Sequence, residues 1–128
     1  MRTTWNFRSA GQLVFGRGAR EQLGSLVARR GLKRVFLVAD QRLEAAGQVG
    51  RVLTPLHQAH LEVELYLGGE PEPAVSTAID AAAAAGRFGP DCVLGLGGGS
   101  NMDLAKIVAV LLTHGGEPSR YFSFDNVP

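Results

Sequence analysis

Residues 93–106 read VLGLGGGSNMDLAK, an apolar run that leads through three consecutive glycines into an amphipathic segment. This pattern predicts a β-strand, a tight turn at Gly97, Gly98 and Gly99, and the first turn of an α-helix. Glycines let another group approach the backbone closely, and the first turn of a helix presents unpaired N–H groups at the positive end of the helix dipole. The stretch therefore predicts an anion site suited to phosphate or pyrophosphate.

The glycine turn differs from two common phosphate-binding fingerprints. No Gly-Lys-Ser/Thr follows at the spacing of a P-loop, and Gly95-x-Gly97-x-x-Ser100 lacks the third glycine of the dinucleotide fingerprint. Arg120 stands where an acidic residue is expected, about twenty residues downstream. A purely structural alternative makes Ser100 the helix N-cap, with Asp103 at the third helical position in a near capping box. A simple cap needs one glycine at most, so the three glycines favour the binding interpretation.

The rest of the chain alternates strand-like and helix-like segments. Residues 34–39 (RVFLVA) form a continuous apolar run, which is typical of a strand buried on both faces. Residues 61–66 (LEVELY) alternate polar and apolar side chains, as a half-exposed strand near a sheet edge does. Short loops between such segments predict the α/β class: a Rossmann-like parallel sheet with helices on both faces. The predicted helices cover residues 19–30, 43–59, 74–86 and 104–112.

Some details of this outline make sharper predictions. Gly47 and Pro55 interrupt the second predicted helix, which should therefore be broken or kinked. The last helix carries almost no polar residue beyond Lys106, so we expect it to be deeply buried. Near the N-terminus, residues 5–7 (WNF) and 12–15 (QLVF) predict a β-hairpin arm that packs on the domain or on a neighbouring subunit.

Asp40 follows the buried strand. An aspartate at the end of a strand is commonly a turn or helix-capping residue. Alternatively, its carboxylate accepts hydrogen bonds from both ribose hydroxyls of an adenosine and repels a 2′-phosphate, which favours NAD over NADP. Parallel sheets bind ligands beyond the carboxyl ends of their strands, so one dinucleotide would place its ribose at Asp40 and its pyrophosphate at Gly97.

The composition argues against several classes of partner. The 128 residues are 45% hydrophobic and 20% charged with a net charge of +1, which is typical of one globular domain and suggests neither nucleic acid nor a membrane as partner. No secretory signal or membrane-length apolar run is found, so we expect a cytoplasmic protein. Cys92 is the only cysteine, which excludes an intramolecular disulfide, and the pair His57 and His60 has no evident third metal ligand.

Residues 97–106, GGGSNMDLAK, resemble the signature of the iron-containing (group III) alcohol dehydrogenase family. Residues 15–18 (FGRG) resemble the N-terminal turn of that family, and residues 36–40 (FLVAD) resemble its ribose-binding strand. The likeness runs from about Phe7 to the C-terminus.

Two positions depart from the family pattern. Asn101 stands where the family usually has proline after Gly-Gly-Gly-Ser. Glu72-Pro73 stands where it usually has Asn-Pro before the third helix, which weakens the expectation of a cofactor contact at Glu72.

The resemblance implies that residues 1–128 are the N-terminal dinucleotide-binding domain of a longer NAD(P)-dependent alcohol dehydrogenase. Hydride would pass between nicotinamide and an alcohol or aldehyde, and a helical domain after residue 128 would bind divalent iron or zinc. No catalytic or metal-binding residue would lie in the chain, and we expect a homodimer formed through the N-terminal arm. Asp103 would contact the nicotinamide carboxamide. The implied cofactor-binding residues are Asp40, Gly97, Gly98, Gly99, Ser100, Asn101, Met102 and Asp103.

Alternatives from other classes stay open. A dehydroquinate synthase-like, glycerol-1-phosphate dehydrogenase-like or glycerol dehydrogenase-like member of the same superfamily would share the nucleotide site but differ in chemistry or substrate. A non-enzymatic nucleotide-binding module would use the glycine turn as a sensor.

Overall fold

The computed structural model describes residues 11–122 and 126–128. Three parallel strands form the sheet in these residues, β1 (Arg34–Val38), β2 (Glu62–Tyr66) and β3 (Cys92–Gly95). Their order is β2-β1-β3, so β2 lies at an edge, as its alternating pattern predicted. The α-helices are α1 (Leu23–Ala28), α2 (Gln41–Ala45), α3 (Gln48–Gln58), α4 (Val75–Phe88) and α5 (Gly99–His114), and short 3-10 helices span Ala19–Gln22 and Pro118–Tyr121.

The central strand β1 is the most deeply buried element. Residues 35–38 have no exposed surface, as the continuous apolar run predicted. Phe36 and Val38 pack on one face of the sheet against small side chains of α4, among them Ala81 and Ala85, and against α5. The other face of β1 packs against α3. Helices therefore cover both faces of the sheet, and the predicted α/β class is confirmed.

The helices α1 and α3 touch through their backbones. A Cβ atom on Gly24 of α1 would lie 2.0 Å from the carbonyl oxygen of Pro55 and 2.8 Å from the Cβ of Ala59. Pro55 lies inside α3, which continues through it to Gln58. The predicted break is confirmed at Gly47, whose left-handed backbone (φ 73°) separates α2 from α3, whereas Pro55 does not end the helix.

Charged side chains join the strands at the amino end of the sheet. The backbone N–H groups of Lys33 and Arg34 donate to Oδ2 of Asp91 at 2.7 and 3.0 Å. The Arg34 guanidinium lies 4.3 Å from the ring centre of Phe88 and donates to Glu62 Oε2 at 2.5 Å. These contacts tie the start of β1 to the starts of both neighbouring strands.

The prediction that residues 104–112 of the last helix are deeply buried is confirmed for only part of them. Leu104, Val108 and Leu111 face the core of the described residues. Leu112 is 37% exposed, because only one side of α5 meets the sheet and α4 in the described residues. Apolar composition does not reveal how many sides of a helix have packing partners.

The predicted N-terminal arm is described only in part. Residues 12–15 have no regular secondary structure in the described part of the chain, and the side chains of Leu13 and Phe15 are fully or almost fully exposed. Residues 5–7 lie outside the described residues, so the hairpin stays a prediction. No helix in residues 11–122 combines the length and apolar character needed to cross a membrane.

Candidate functional site

The loops that follow the three strands meet at the carboxyl edge of the sheet. Asp40 lies just beyond β1, the connector at residues 68–73 follows β2, and the glycine turn follows β3. A cleft of about 200 Å³ lies between them. It is lined by Asp40, Arg42, Glu70, Pro71, Gly98, Gly99, Ser100 and Asn101. The parallel topology thus brings Asp40 and the glycine turn together, as the order of the elements predicted.

The glycine turn starts α5 earlier than the capping alternative assumed. Gly98 is the N-cap, Gly99 is the first helical residue, and no side-chain hydrogen bond caps this helix among the described residues. The structural alternative with Ser100 as N-cap is therefore ruled out, because Gly98, in an extended backbone conformation, is the N-cap and Ser100 already lies in the first turn of the helix. The first helical hydrogen bond runs from Met102 N–H to the carbonyl oxygen of Gly98. The N–H groups of the preceding helical residues have no backbone acceptor in the described part of the chain.

The three glycines have different structural roles. A Cβ atom on Gly98 or on Gly99 would meet no atom within 4 Å, so both border open space. A Cβ on Gly97 would lie 2.6 Å from Nδ2 of Asn101, and the backbone there has φ +132°. Gly97 is therefore required by the fold itself, whereas Gly98 and Gly99 leave room above the helix N-terminus for an anion.

Asp40 is both a helix cap and part of the cleft. Leu43 N–H donates to its Oδ1 at 2.9 Å, which makes Asp40 the N-cap of α2. The side-chain Nδ2 of Asn101 donates to its Oδ2, also at 2.9 Å. These two hydrogen bonds, first that from Leu43 and then that from Asn101, hold the pKa of Asp40 below its usual value. Each carboxylate oxygen keeps a second lone pair, so Asp40 stays able to accept ribose hydroxyls.

The remaining predicted residues lie in different surroundings. The side chain of Asn101 is turned into the protein, since the residue is only 4% exposed and its Nδ2 also donates to the carbonyl oxygen of Leu96. Met102 is exposed. Asp103 lies further along α5, exposed and paired with Lys106 at 3.0 Å, at the rim of a second cleft of about 150 Å³ beside the N-terminus of α4.

Two charged residues of the cleft, Arg42 and Glu70, were missed from the sequence. Glu70 accepts hydrogen bonds from Thr77 Oγ1 at 2.5 Å and from Ala74 N–H at 3.3 Å, and these bonds lower its pKa. Arg42 brings a cation to the same cleft. Both follow the carboxyl end of a parallel strand, and this position in the topology was the signal that could have found them.

The described residues do not supply a metal site. No group of three or more His, Cys, Asp or Glu side chains in this part of the chain lies together as a metal ion requires. His57 lies in the last turn of α3, and His60 follows the helix in a left-handed backbone conformation (φ 58°). Burial raises the pKa of the Cys92 thiol, which makes it a poor nucleophile and a poor ligand at neutral pH.

A parallel sheet covered by helices on both faces, with an open glycine turn at its carboxyl edge, is the architecture of nucleotide-binding α/β domains. The sequence model of one such family, described as iron-containing alcohol dehydrogenase, matches residues 10–128. The chain belongs to the iron-containing alcohol dehydrogenase family.

Named relatives are dehydrogenases several times longer than this chain. Long-chain-alcohol dehydrogenase 1 of Geobacillus thermodenitrificans is 41% identical over 110 residues, which cover 84% of this chain and 27% of the relative. The NADPH-dependent butanol dehydrogenase of Clostridium saccharobutylicum is 34% identical over 102 residues, 80% of this chain and 26% of the relative. The crystal structure of NADH-dependent butanol dehydrogenase A from Thermotoga maritima has a TM-score of 0.85 at 29% identity, covering 93% of this chain and 30% of that one. The chain thus spans between about a quarter and a third of the length of these relatives.

Proposed function

We propose that the chain is the dinucleotide-binding part of an NAD(P)-dependent alcohol dehydrogenase that interconverts alcohols and aldehydes. The observation that carries the proposal is the open space over Gly98 and Gly99, next to a helix N-terminus that no side chain caps in the described residues. Backbone N–H groups at such a place bind pyrophosphate well. The names of the relatives, alcohol and butanol dehydrogenases, support this reaction over the cyclase chemistry of the wider superfamily.

In this proposal, different parts of the carboxyl edge bind different parts of the dinucleotide. Gly98, Gly99 and the N–H group of Ser100 hold the pyrophosphate, and Asp40 accepts the hydroxyls of the adenosine ribose. Asp103 binds the nicotinamide carboxamide from the second turn of α5. A bound nicotinamide supplies the hydride donor or acceptor, while the protein residues bind and orient it.

In this proposal the preferred cofactor is NAD, although two charged residues in the same cleft act in opposite directions on a 2′-phosphate. The Asp40 carboxylate is kept charged by its hydrogen bonds and repels a 2′-phosphate. The Arg42 guanidinium, two residues further along the chain, would attract a 2′-phosphate. Relatives are named for either cofactor, NADPH in the Clostridium enzyme and NADH in the Thermotoga enzyme. We favour NAD because Asp40 is held in place by two hydrogen bonds.

The proposal also includes a metal and a partner subunit. The described residues offer no donor set for iron or zinc, so the metal would be bound by residues elsewhere in the protein. We also propose that the protein is cytoplasmic and forms a homodimer, and the exposed apolar side chains of Leu13 and Phe15 in the N-terminal arm support the dimer. Sedimentation of the protein and of a Phe15→Ser variant tests the dimer: a dimer that the substitution leaves intact contradicts an interface at the arm.

Titration of the full-length protein with NADH, followed by nicotinamide fluorescence, tests the function. We expect ADP-ribose to compete with NADH, since it carries the pyrophosphate and both riboses, and ATP to compete poorly. We also expect the full-length protein to oxidise a primary alcohol with NAD⁺. Tight binding of ATP without any NADH binding or alcohol oxidation would instead favour the non-enzymatic nucleotide-binding module.

A further inference from the structure

The side chain of Asn101 lies where the loops after all three strands meet. A Cβ atom on Gly69, in the connector after β2, would lie 2.1 Å from Oδ1 of Asn101. A Cβ on Gly97, in the turn after β3, would lie 2.6 Å from its Nδ2. Two glycines from different loops therefore leave space for this one amide, and Asp40 after β1 completes its surroundings.

Both hydrogens of the Asn101 amide group are used inside the protein. Its Nδ2 donates to Oδ2 of Asp40 and to the carbonyl oxygen of Leu96, each at 2.9 Å. An amide NH₂ has two hydrogens, so these bonds exhaust its donor capacity. With 4% of its surface exposed, Asn101 is a poor candidate for direct side-chain contact with a dinucleotide.

The hydrogen bond from Asn101 holds the second oxygen of the Asp40 carboxylate. The other carboxylate oxygen of Asp40 accepts from Leu43 N–H on α2. A carboxylate held through both oxygens cannot rotate about its last side-chain bond without breaking one of these hydrogen bonds. The second bond comes from α5, the helix that the glycine turn begins, so Asp40 is held at a set position relative to that turn.

We propose that Asn101 is a positioning residue, which holds the Asp40 carboxylate against the glycine turn and so joins the ribose and pyrophosphate sites into one rigid unit that discriminates NAD from NADP. The inference rests on the proposed function. A carboxylate fixed in this way receives the ribose hydroxyls at no further ordering cost. It also cannot turn away from a 2′-phosphate, so the discrimination depends on Asn101 as well as on Asp40.

A double-mutant cycle tests the inference on the full-length protein. Asn101→Leu removes both donated hydrogen bonds at similar volume, Asp40→Ala removes the carboxylate, and the double variant combines them. NADH and NADPH affinities are measured for all proteins by fluorescence. We expect Asn101→Leu to weaken NADH binding about ten-fold, the size of one lost hydrogen bond to a charged group, and to weaken NADPH binding much less.

The decisive measurement is the effect of Asn101→Leu on NADH affinity in the Asp40→Ala background. If Asn101 acts through Asp40, adding Asn101→Leu there should change NADH affinity by less than about two-fold, since coupled residues are not additive. A residue that only supports the fold would weaken NADH and NADPH equally and would act to the same extent with or without Asp40. Either of those results overturns the proposal.

Asp91→Ala is the matched control, because Asp91 also hydrogen-bonds across β1 and β3 but at the opposite end of the sheet. It should lower the thermal midpoint and leave both affinities unchanged. If Asn101→Leu does not fold, Asn101→Ala also removes the donor and places no second carboxyl group beside Asp40, and NADH affinity equal to that of the unaltered protein would overturn the inference. If the unaltered protein binds neither dinucleotide, the proposed function falls as well. If Gly98→Val abolishes NADH binding while Asn101→Leu has no effect, only the inference falls.

Discussion

The two ends of the sheet differ in how their hydrogen-bonding groups are used. At the amino end, Asp91 and Arg34 hold neighbouring loops and strands through hydrogen bonds to backbone and side-chain atoms. At the carboxyl end, the first turn of α5 has N–H groups with no backbone acceptor in the described residues. The same strands thus carry a closed end and an open end. The difference lies in what occupies each end: the Asp91 and Arg34 side chains bridge the amino end, whereas Gly98 and Gly99 leave open space at the start of α5. Changes to Asp91 at the amino end should therefore alter mainly stability, and changes to Gly98 or Asp40 at the carboxyl end should alter mainly affinity for the dinucleotide.

The largest effect is expected for Gly98→Val in the full-length protein. Its methyl groups would fill the space that a pyrophosphate needs, so NADH affinity should fall about a hundred-fold or more. The free energy of unfolding should fall by about 1 kcal/mol or less, because Gly98 has an ordinary extended backbone (φ −82°) and only its N-cap role is weakened. Thermal midpoint and NADH affinity are measured on the same sample.

Gly50→Val is the control for this substitution. Gly50 lies in α3, and a Cβ atom there would also meet nothing within 4 Å. It should leave NADH affinity unchanged. A Gly98→Val protein that melts early but binds NADH normally would show that the turn is purely structural, and the contrast between the two ends of the sheet would fail.

The second prediction concerns Asp40→Gly, which should weaken NAD binding about ten-fold and narrow its advantage over NADP. The substitution removes the ribose acceptor and the repulsion of a 2′-phosphate. Because glycine is nearly as good an N-cap as aspartate, the cap of α2 should cost only about a few tenths of a kcal/mol in stability. Isothermal titration with both cofactors gives the ratio, and an equal loss for NAD and NADP would contradict the role assigned to Asp40.

At the closed end, Asp91→Ala should change stability in a manner that depends on pH. Hydrogen bonds from the backbone N–H groups of Lys33 and Arg34 lower the pKa of Asp91 in the folded protein. A lowered folded pKa stabilises the fold above the unfolded pKa, which is about 3.9, and this contribution is lost as the pH falls through the folded pKa.

The difference in unfolding free energy between the unaltered protein and Asp91→Ala should therefore be greatest near neutral pH and shrink in acid. Urea denaturation across this pH range measures it. A difference that stays constant into acid would show that the carboxylate charge of Asp91 has no part in closing this end of the sheet.

The smallest effect is expected at Glu72, at the open end. Its backbone is left-handed (φ 49°), a region that costs about 1 kcal/mol for most side chains and less for asparagine. Glu72→Asn should raise the free energy of unfolding by up to about 1 kcal/mol. Glu72→Gln removes the same charge and keeps the unfavourable backbone, so it should not stabilise the protein. Equal stability of the two variants would argue against backbone strain at the open end.

Most of the architecture could be predicted because it follows from local patterns. The apolar run of β1 fits burial on both faces, and the parallel topology brings Asp40 and the glycine turn to one edge without knowledge of any contact. Gly47 indicated the break between α2 and α3 for the same reason, since glycine adopts a left-handed backbone conformation more readily than other residues.

The parts that escaped prediction depend on where a helix begins and on what covers it. α5 starts at Gly99, and the side chain of Asn101, near the start of the helix, turns into the protein. Asn101 lies three residues before Leu104 and seven before Val108, so helical spacing places it on the same buried face. The exposure of Leu112 depends on neighbouring surfaces that the sequence of α5 does not encode. Distant contacts, such as that between Asn101 and Asp40, leave no spacing pattern along the chain.

The contact between Gly24 and Pro55 constrains how this protein can diverge. A Cβ atom has no rotatable bond of its own, so an alanine at position 24 could not move its methyl group away from the Pro55 carbonyl, only 2.0 Å distant. Relief would require the helices α1 and α3 to separate, which would open the core around Val52 and Leu56. Position 24 is therefore restricted to glycine whatever residue stands at position 55, since every residue carries a backbone carbonyl group.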